Sequence, residues 1–411
     1  MPSKNEKYIL YILIAEVRYL GIRSEPRGRR GRTMNDKFGY EVDYIAIGDK
    51  SKSGDAIAIR WGIDLDKSKQ NQYVMLIDGG HGCSAKDVLA HIRKYYLGGE
   101  NLGKRDTIIN LIVNTHPHSD HIGGLGEIYD ESNVVDIIMH RPWDHKGLPK
   151  WFADGRVTQN SIKEQLKDGL ENAYDLARKF FKDCGRPTVE PFAGIKYDLP
   201  YGVVLYVLGP ELDFYNKLLP DFNATPTNGN GVGQNRLTID KGEVDVVASK
   251  DDLTDEGDTS AENQSSAIIA LEMPNGDILM FTGDSGIESL NKAMDQFDRF
   301  KLDIKKLKLF HVPHHGSLQN LGPSILSRLF GLPGKPLQED KVSARISVAA
   351  KPDYGHPSRR VINALLQSNC SVIATHGTSK RYSRGTVPDR SGWIKVESLK
   401  EFPMVEGVVN V

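Results

Sequence analysis

The sequence predicts an α/β fold in which helices cover β-sheets, and three observations carry that prediction. Short apolar runs rich in Ile, Val and Leu alternate along the chain with amphipathic stretches of helical period. With 411 residues, 39% hydrophobic and 26% charged, the composition is that of an ordinary globular protein, which excludes wholesale disorder, collagen-like repeats and a membrane-embedded body. No internal repeat is present, and the alternation of strands and helices points to covered sheets rather than a helical bundle.

The elements follow in order. Tyr8 to Ala15 is flanked by Lys7 and Glu16 and lacks a small-residue cleavage site, so it reads as a buried strand rather than a signal peptide. Arg23, Arg27, Arg29, Arg30 and Arg32, spaced by glycines, form a basic loop. Strands are expected at Tyr44–Ile47, Ile57–Trp61 and Tyr73–Ile77, the last running into Asp78-Gly79-Gly80. A helix over Ala85–Tyr95 precedes a strand at Thr107–Asn114 and a short one at Ile137–His140. Residues 158–182 have one long amphipathic helical pattern, and Val203–Leu208 is a strand closed by Gly209-Pro210. Residues 217–262 are rich in Asn, Gly, Thr, Asp and Glu and read as a polar insertion loop. Strands at Ser266–Met273 and Ile278–Thr282 flank the turn Pro274-Asn275-Gly276 and lead to a helix over 285–296. Leu307–Val312 and Arg345–Ala350 are strands. Ser358 caps a helix through Gln367, and Cys370–Ala374 is the last core strand.

Charge and cysteine content narrow the function classes. Lys plus Arg is 53 and Asp plus Glu is 54, a net charge of −1, which excludes a globally basic nucleic-acid binder but not a local basic groove. Cys83, Cys184 and Cys370 are odd in number and far apart, so they form neither a disulfide framework nor a paired-cysteine zinc site; a reducing, cytoplasmic setting is expected. No run approaches the ~20 apolar residues of a membrane helix, and no membrane partner is expected.

The histidines carry the chemistry. His116, His118 and His121, with Asp120, fall within six positions after an apolar strand. No histidine occurs between His145 and His311; then His311, His314, His315, His356 and His376 follow. Imidazole and carboxylate are the usual ligands of zinc and similar divalent ions, and the spacing suits two ions a few ångströms apart. A bridging carboxylate must come from elsewhere, and Asp284, at the end of its own strand, is well placed. Gly98 to Lys104 nearly matches a phosphate-binding loop, but Arg105 replaces the Ser or Thr and a strand follows instead of a helix, so it is set aside. His140 and His145 read as ordinary loop residues near a rim, and Cys83 as an idle thiol.

His116-X-His118-X-Asp120-His121, preceded by Asp78-Gly79-Gly80 and followed by Thr282-Gly283-Asp284, resembles the metallo-β-lactamase fold superfamily. A narrower resemblance is to the hydrolase domain of the ComEC competence proteins. It rests on Leu307-Lys308, Pro313-His314-His315-Gly316-Ser317, Tyr354-Gly355-His356-Pro357, Gly54-Asp55-Ala56, and Asn263 before Ser265-Ser266. It covers about residues 40–380, leaving out the 217–262 loop and both ends. The resemblance implies a four-layer αββα sandwich, one hydrolase domain spanning 1–411, with a metal site at one edge of the two sheets. It implies metal ligation by His116, His118, Asp120, His121, Asp284 and His315, with Asp78 orienting a ligand histidine. Asp120, His314, His315 and His356 are the catalytic candidates, and which of the three histidines binds metal is left open. Many superfamily members supply a further ligand histidine between the first cluster and the bridging aspartate; this chain has none near Gly209-Pro210, so one Zn²⁺ or two, or Mn²⁺, remain the alternatives.

The expected activity is hydrolysis by a metal-activated water, whose pKa a bound Zn²⁺ lowers from 15.7 to about 7. Asp120 would orient that water and a histidine would protonate the leaving group. A phosphodiester substrate, DNA or RNA, is favoured by the narrower resemblance, the arginine loop, and Lys380, Arg381, Arg384 and Arg390. Lys308 and Arg381 are weaker candidates for holding an anion. The alternatives are a small-molecule hydrolase, of lactones, β-lactams, thioesters or cyclic nucleotides, and a non-catalytic scaffold with a relic site. Because ComEC proteins carry membrane helices, the resemblance is to free-standing relatives, some of which are effectors acting beside a partner protein encoded nearby in bacterial anti-phage defence.

Overall fold

The computed structural model describes residues 37–48, 51–151, 157–223, 253–352, 355–393 and 396–401. The strand expected at Tyr8–Ala15, the arginine loop, Tyr354 and the middle of the 217–262 segment lie outside them.

Two sheets form the centre. In the first, β1 (Phe38–Tyr44), β2 (Ile57–Ile63), β3 (Gln72–Ile77), β4 (Ile108–Val113) and β5 (Asn133–Ile138) lie in order, and the late strand β15 (Lys380–Gly385) pairs antiparallel with β1 at the edge. The second runs from β6 (Lys196–Leu199) through β7 (Val203–Gly209), β8 (Ile268–Glu272), β9 (Ile278–Phe281), β10 (Leu307–His311) and β13 (Val342–Ile346) to β14 (Cys370–Ala374). A small hairpin, β11 (Gly331–Leu332) with β12 (Lys335–Pro336), stands apart.

Strand alternation explains the layering. In β2 and β3, Ile57, Ile59, Trp61, Met75 and Ile77 face the second sheet and meet Leu205, Ile269, Leu279 and Leu309 in one core. Their neighbours Ala58, Val74 and Leu76 face the other way. They pack under α1 (Ala85–His91), α3 (Leu125–Glu131), α4 (Gln159–Gly169) and α5 (Glu171–Cys184). The second sheet's outer residues, among them Met280, Phe310 and Ala344, are covered by α8 (Ile287–Arg299), α9 (Pro323–Phe330) and α10 (Arg359–Gln367). This is the four-layer αββα sandwich.

Several boundaries differ from expectation. The helical stretch at 158–182 is two helices, because Leu170 leaves helical geometry (φ −118°, ψ 41°) after Gly169. The 217–262 segment is not all loop: α6 (Leu212–Leu218) enters it, Leu219 and Phe222 are buried, and α7 (Ala261–Gln264) leaves it. Of the expected Tyr44–Ile47 strand only Tyr44 is in one, as the last residue of β1, whose inward Phe38, Tyr40, Val42 and Tyr44 join the central core. Its outward Glu41 and Asp43 are buried charges. Glu41 pairs with Arg60 at 2.6 Å and also with Arg381, while Arg390 reaches Glu41 at 2.9 Å and Asp43 at 2.8 Å. Arg381 and Arg390 therefore fasten the C-terminal strand to the first sheet, which corrects their reading as a nucleic-acid-binding tail. Lys308 pairs with Asp340 at 3.1 Å. No helix among the described residues is long and apolar enough to cross a membrane.

Candidate metal centre

Strand ends of both sheets meet at one edge. β3 ends at Asp78, and β4 runs into Asn114–His116. The short helix α2 (Ser119–Ile122) carries Asp120 and His121. From the second sheet, β9 leads to Asp284 and β10 to the turn holding His314 and His315. Close backbone approach is built in by glycine. A Cβ on Gly54 would sit 2.6 Å from the Asp120 carbonyl oxygen, and one on Gly283, whose φ is +53°, 2.8 Å from Thr115 Cβ.

The donors form two groups that share Asp284. Asp120, His121, Asp284 and His315 place one donor atom each within 4.8 Å of one another, and so do His116, His118 and Asp284. Asp284 divides its oxygens between them: Oδ1 lies 3.3 Å from His121 Nε2, and Oδ2 lies 3.8 Å from His116 Nε2 and 3.7 Å from His314 Nε2. His315 Nε2 is 3.3 Å from Asp120 Oδ2. His356 is half-buried at the rim, its ring centre 5.8 Å from that of His314.

Hydrogen bonds aim the imidazoles. Asp78, wholly buried, accepts from Asn114 Nδ2 (2.9 Å) and Thr115 N (2.8 Å) on Oδ1, and from Thr115 Oγ1 (2.6 Å) and His121 Nδ1 (2.8 Å) on Oδ2. Thr115 Oγ1, its proton spent on Asp78, can only accept from His116 Nδ1 at 3.1 Å. His315 Nδ1 donates to the Ser347 carbonyl at 2.9 Å. In each ring Nδ1 thus carries a proton, which leaves Nε2 as the nitrogen turned to the cleft. Behind them Asp55 Oδ2 lies 3.3 Å from His311 Nε2 and 3.8 Å from His121 Nδ1.

These residues fit a divalent cation. Nε2 of His116, Nε2 of His121 and Oδ1 of Asp284 are buried with no hydrogen-bond partner among the described residues, an arrangement costing about 1–3 kcal/mol per group unless something satisfies them. The electrostatics agree. Burial disfavours ionisation of Asp284 and Asp120, yet the facing histidines, His121 foremost, hold both well below the ordinary carboxylate value. Burial and the neighbouring His121 keep His116 neutral, its pKa pushed well down. Burial also opposes a charge on His315, but its hydrogen bond to Asp120 and the surrounding carboxylates lift it to about 9. A cleft that holds its carboxylates ionised is one that attracts positive charge.

Residues 69–239 match the family model described as the metallo-beta-lactamase superfamily. Among solved structures it is similar to a metallo-beta-lactamase from Cronobacter sakazakii, a HARLDQ-motif mutant, at 15% identity and a TM-score of 0.28 over 64% of this chain and 79% of that one. It is also similar to MEM-A1, a subclass B3 metallo-beta-lactamase from a soil metagenome library, at 14% identity and a TM-score of 0.27 over 79% and 88%. No curated protein matches.

Within this metallo-beta-lactamase fold the motif histidines separate. His315 joins the donor group with Asp120, His314 faces the other oxygen of Asp284, and His356 stays at the rim. His140 and His145 fall outside the donor groups: His140 stacks on Tyr215 (ring centres 4.3 Å apart), and His145 bonds Asn216 and Glu190. Cys83 is exposed. Sequence reasoning missed Asn114, Thr115 and Asn320, which aim the rings. The Thr directly before the first motif histidine was the one available signal.

Proposed function

We propose that this protein is a metal-dependent phosphodiesterase, with a nucleic acid as its leading substrate class. The reading is carried by Asp284, whose two oxygens serve two adjoining imidazole groups. Those two groups would suit a pair of cations, which could supply the charge stabilisation that phosphoryl displacement needs. His116, His118 and Asp284 would hold one cation and Asp120, His121, Asp284 and His315 the other, whether Zn²⁺ or Mn²⁺. Cations held there would acidify a water and draw charge from the phosphoryl oxygens. Asp120, whose carboxylate is partly exposed on the open side, orients that water and draws its proton. As the water oxygen bonds to phosphorus and the ester P–O bond breaks, His356 delivers a proton to the departing oxygen. Asp78 keeps His121 and, through Thr115, His116 facing inward.

A second reading, a hydrolase of small esters or amides, is favoured by one observation. Arg381, Arg390 and Lys308, which a long polyanion would need free, are spent on Glu41, Asp43 and Asp340. The narrower ComEC-type resemblance supports the phosphodiester reading and, by analogy with free-standing relatives, a role as an effector beside a protein partner in bacterial anti-phage defence. The test is a substrate panel on protein stripped with EDTA and reloaded with Zn²⁺ or Mn²⁺. Plasmid, single-stranded DNA and bis-p-nitrophenyl phosphate should be cleaved, and His118→Ala and Asp120→Ala should each lose roughly a thousandfold or more, on the scale of lost transition-state stabilisation. Turnover of nitrocefin or a lactone without phosphodiester cleavage would select the second reading.

A further inference from the structure

We propose that a nucleic-acid strand held at the centre leaves it over the loops that follow β1, β13 and β14, with its phosphates on Lys52, Lys351, His376 and Lys380; this rests on the phosphodiesterase reading above. The basic residues that the sequence suggested for this task, Arg381, Arg390 and Lys308, are engaged in ion pairs, so a polyanion needs its cations elsewhere.

The three loops make one surface, and it begins at the donor groups. Gly54 lies against the Asp120 carbonyl, and Lys52 is two residues earlier, at most about 7 Å of chain. From the other sheet, the Ser347 carbonyl accepts from His315 Nδ1, and Lys351 is four residues later, at most about 14 Å of chain. Ser53 joins the two sides. Its carbonyl accepts from His81 Nε2 at 2.8 Å, and its Oγ accepts from Ala349 N at 3.1 Å. The third loop is fastened to the second: Val348 N donates to Thr375 Oγ1 at 2.7 Å, and a Cβ on Gly377 would sit 3.1 Å from Ala350 Cα. Lys52, Lys351 and His376 are each next in sequence to one of these contacts.

The charge on this surface has one sign. Residues 46–48, 51–53, 347–352 and 375–380 include no Asp or Glu; Asp49, Lys50 and Asp353 of the same loops lie outside the described residues. Lys52, Lys351 and His376 are exposed and Lys380 is half-buried, and none of the four has a carboxylate partner among the described residues. Burial, and next to it the Lys380 ammonium, push His376 below its ordinary value, so near neutrality its ring is an uncharged N–H donor beside a fixed charge.

The opposite flank is unsuited to a polyanion. A hollow of about 420 Å³ between α3 and α5 reaches Gly123, two residues past His121, and is lined by Glu127, Asp130, Glu131 and Asp175 with Lys179 as its one cation. Such an asymmetry turns a strand of phosphates toward the β13–β14 side. Contacts of this kind fix the position of the strand and carry no base preference.

Binding is read without cleavage. A fluorescein-labelled oligothymidine of about 20 nucleotides is titrated by anisotropy against EDTA-treated protein between 50 and 200 mM salt. Lys52→Gln, Lys351→Gln and Lys380→Gln should each flatten the log–log salt slope by about 0.7, which weakens binding about fivefold at ~0.1 M salt and roughly 100-fold for the three together. His376→Ala should weaken binding without moving the slope, and His376→Gln, which keeps an N–H donor, should recover part of the loss. Lys305, Lys306 and Lys335, exposed before β10 and on the β11–β12 hairpin, supply the same change of charge elsewhere, and their triple Gln variant should bind as wild type does. Equal weakening by the two triple variants, slopes unmoved by the platform lysines, or displacement of the strand by polyglutamate as readily as by unlabelled oligothymidine would overturn the proposal. Strand binding that follows the platform, in a protein that loaded with Zn²⁺ or Mn²⁺ cleaves no phosphodiester, would instead refute the reading beneath it.

Discussion

Replacing Asp78 by Asn should disarm the centre on both sides at once without touching a ligand. The substitution keeps shape, and Asn tolerates the left-handed φ of +55° found at this position. On one side little changes, since an amide oxygen still accepts from Asn114 Nδ2 and Thr115 N. On the other, an NH₂ now faces Thr115 Oγ1 and His121 Nδ1 where a carboxylate oxygen accepted from both. His121 must accept there, which moves its proton to Nε2. Thr115 Oγ1, now accepting from the amide, turns its own proton to His116 and inverts that ring as well. A nitrogen bearing hydrogen cannot ligate, so each cation loses a donor unless the amide rotates at further cost. Losing such support typically costs 10–100-fold in metal affinity, or about 1.4–2.7 kcal/mol. Competition against a zinc-buffering chelator, read by metal analysis and by the melting temperature with and without Zn²⁺, measures it. Zinc affinities within threefold of wild type for both equivalents in folded protein would refute the relay.

Two further predictions concern the buried charges of β1. Burial opposes ionisation of Asp43, but His91 and Arg390 outweigh it and hold the carboxyl at about 2. A depressed carboxylate contributes stability that is complete above the unfolded value near ~3.9 and vanishes as pH falls through the folded one, so the pH-dependent part of the gap between wild type and Asp43→Asn should be ~2.5 kcal/mol above pH ~5 and close toward pH ~2. Urea unfolding of EDTA-treated protein across that range reads it, and a gap independent of pH would sink the assignment. Arg390→Ala should cost about 3–5 kcal/mol, because it leaves Glu41 and Asp43 buried with one cation fewer and empties the space among Tyr95, Tyr96 and Trp393. A loss below ~1 kcal/mol in urea unfolding would mean the C-terminal strand is held by something else.

The centre was legible where chemistry and strand ends coincide in sequence. His116 to His121 and Asp284 stand out because each follows an apolar run that stops abruptly, and alternation placed most strands within a few residues. Legibility failed where a residue's meaning depends on a distant partner. Phe38–Tyr44 went unseen as a strand because its outward Glu41 and Asp43 make sense only once Arg60, Arg381 and Arg390 are seen against them. Lys380–Gly385 read as a basic arm because nothing local says that a strand of such polarity will pair with β1. The continuous helical period over 158–182 concealed a break at Leu170, which carries no proline or capping signal of its own. Asn320 lies six positions beyond His314, a spacing that corresponds to no regular element.

The division of donors between the two sheets has a consequence for how the protein comes into being. Residues up to β4 and α2 supply imidazoles but no bridging carboxylate, and Asp284 with the His314–His315 turn is synthesised only much later. A growing chain therefore lacks the Asp284 oxygens that both donor groups share until its C-terminal half has docked. The site as described is thus assembled only when both sheets are in place.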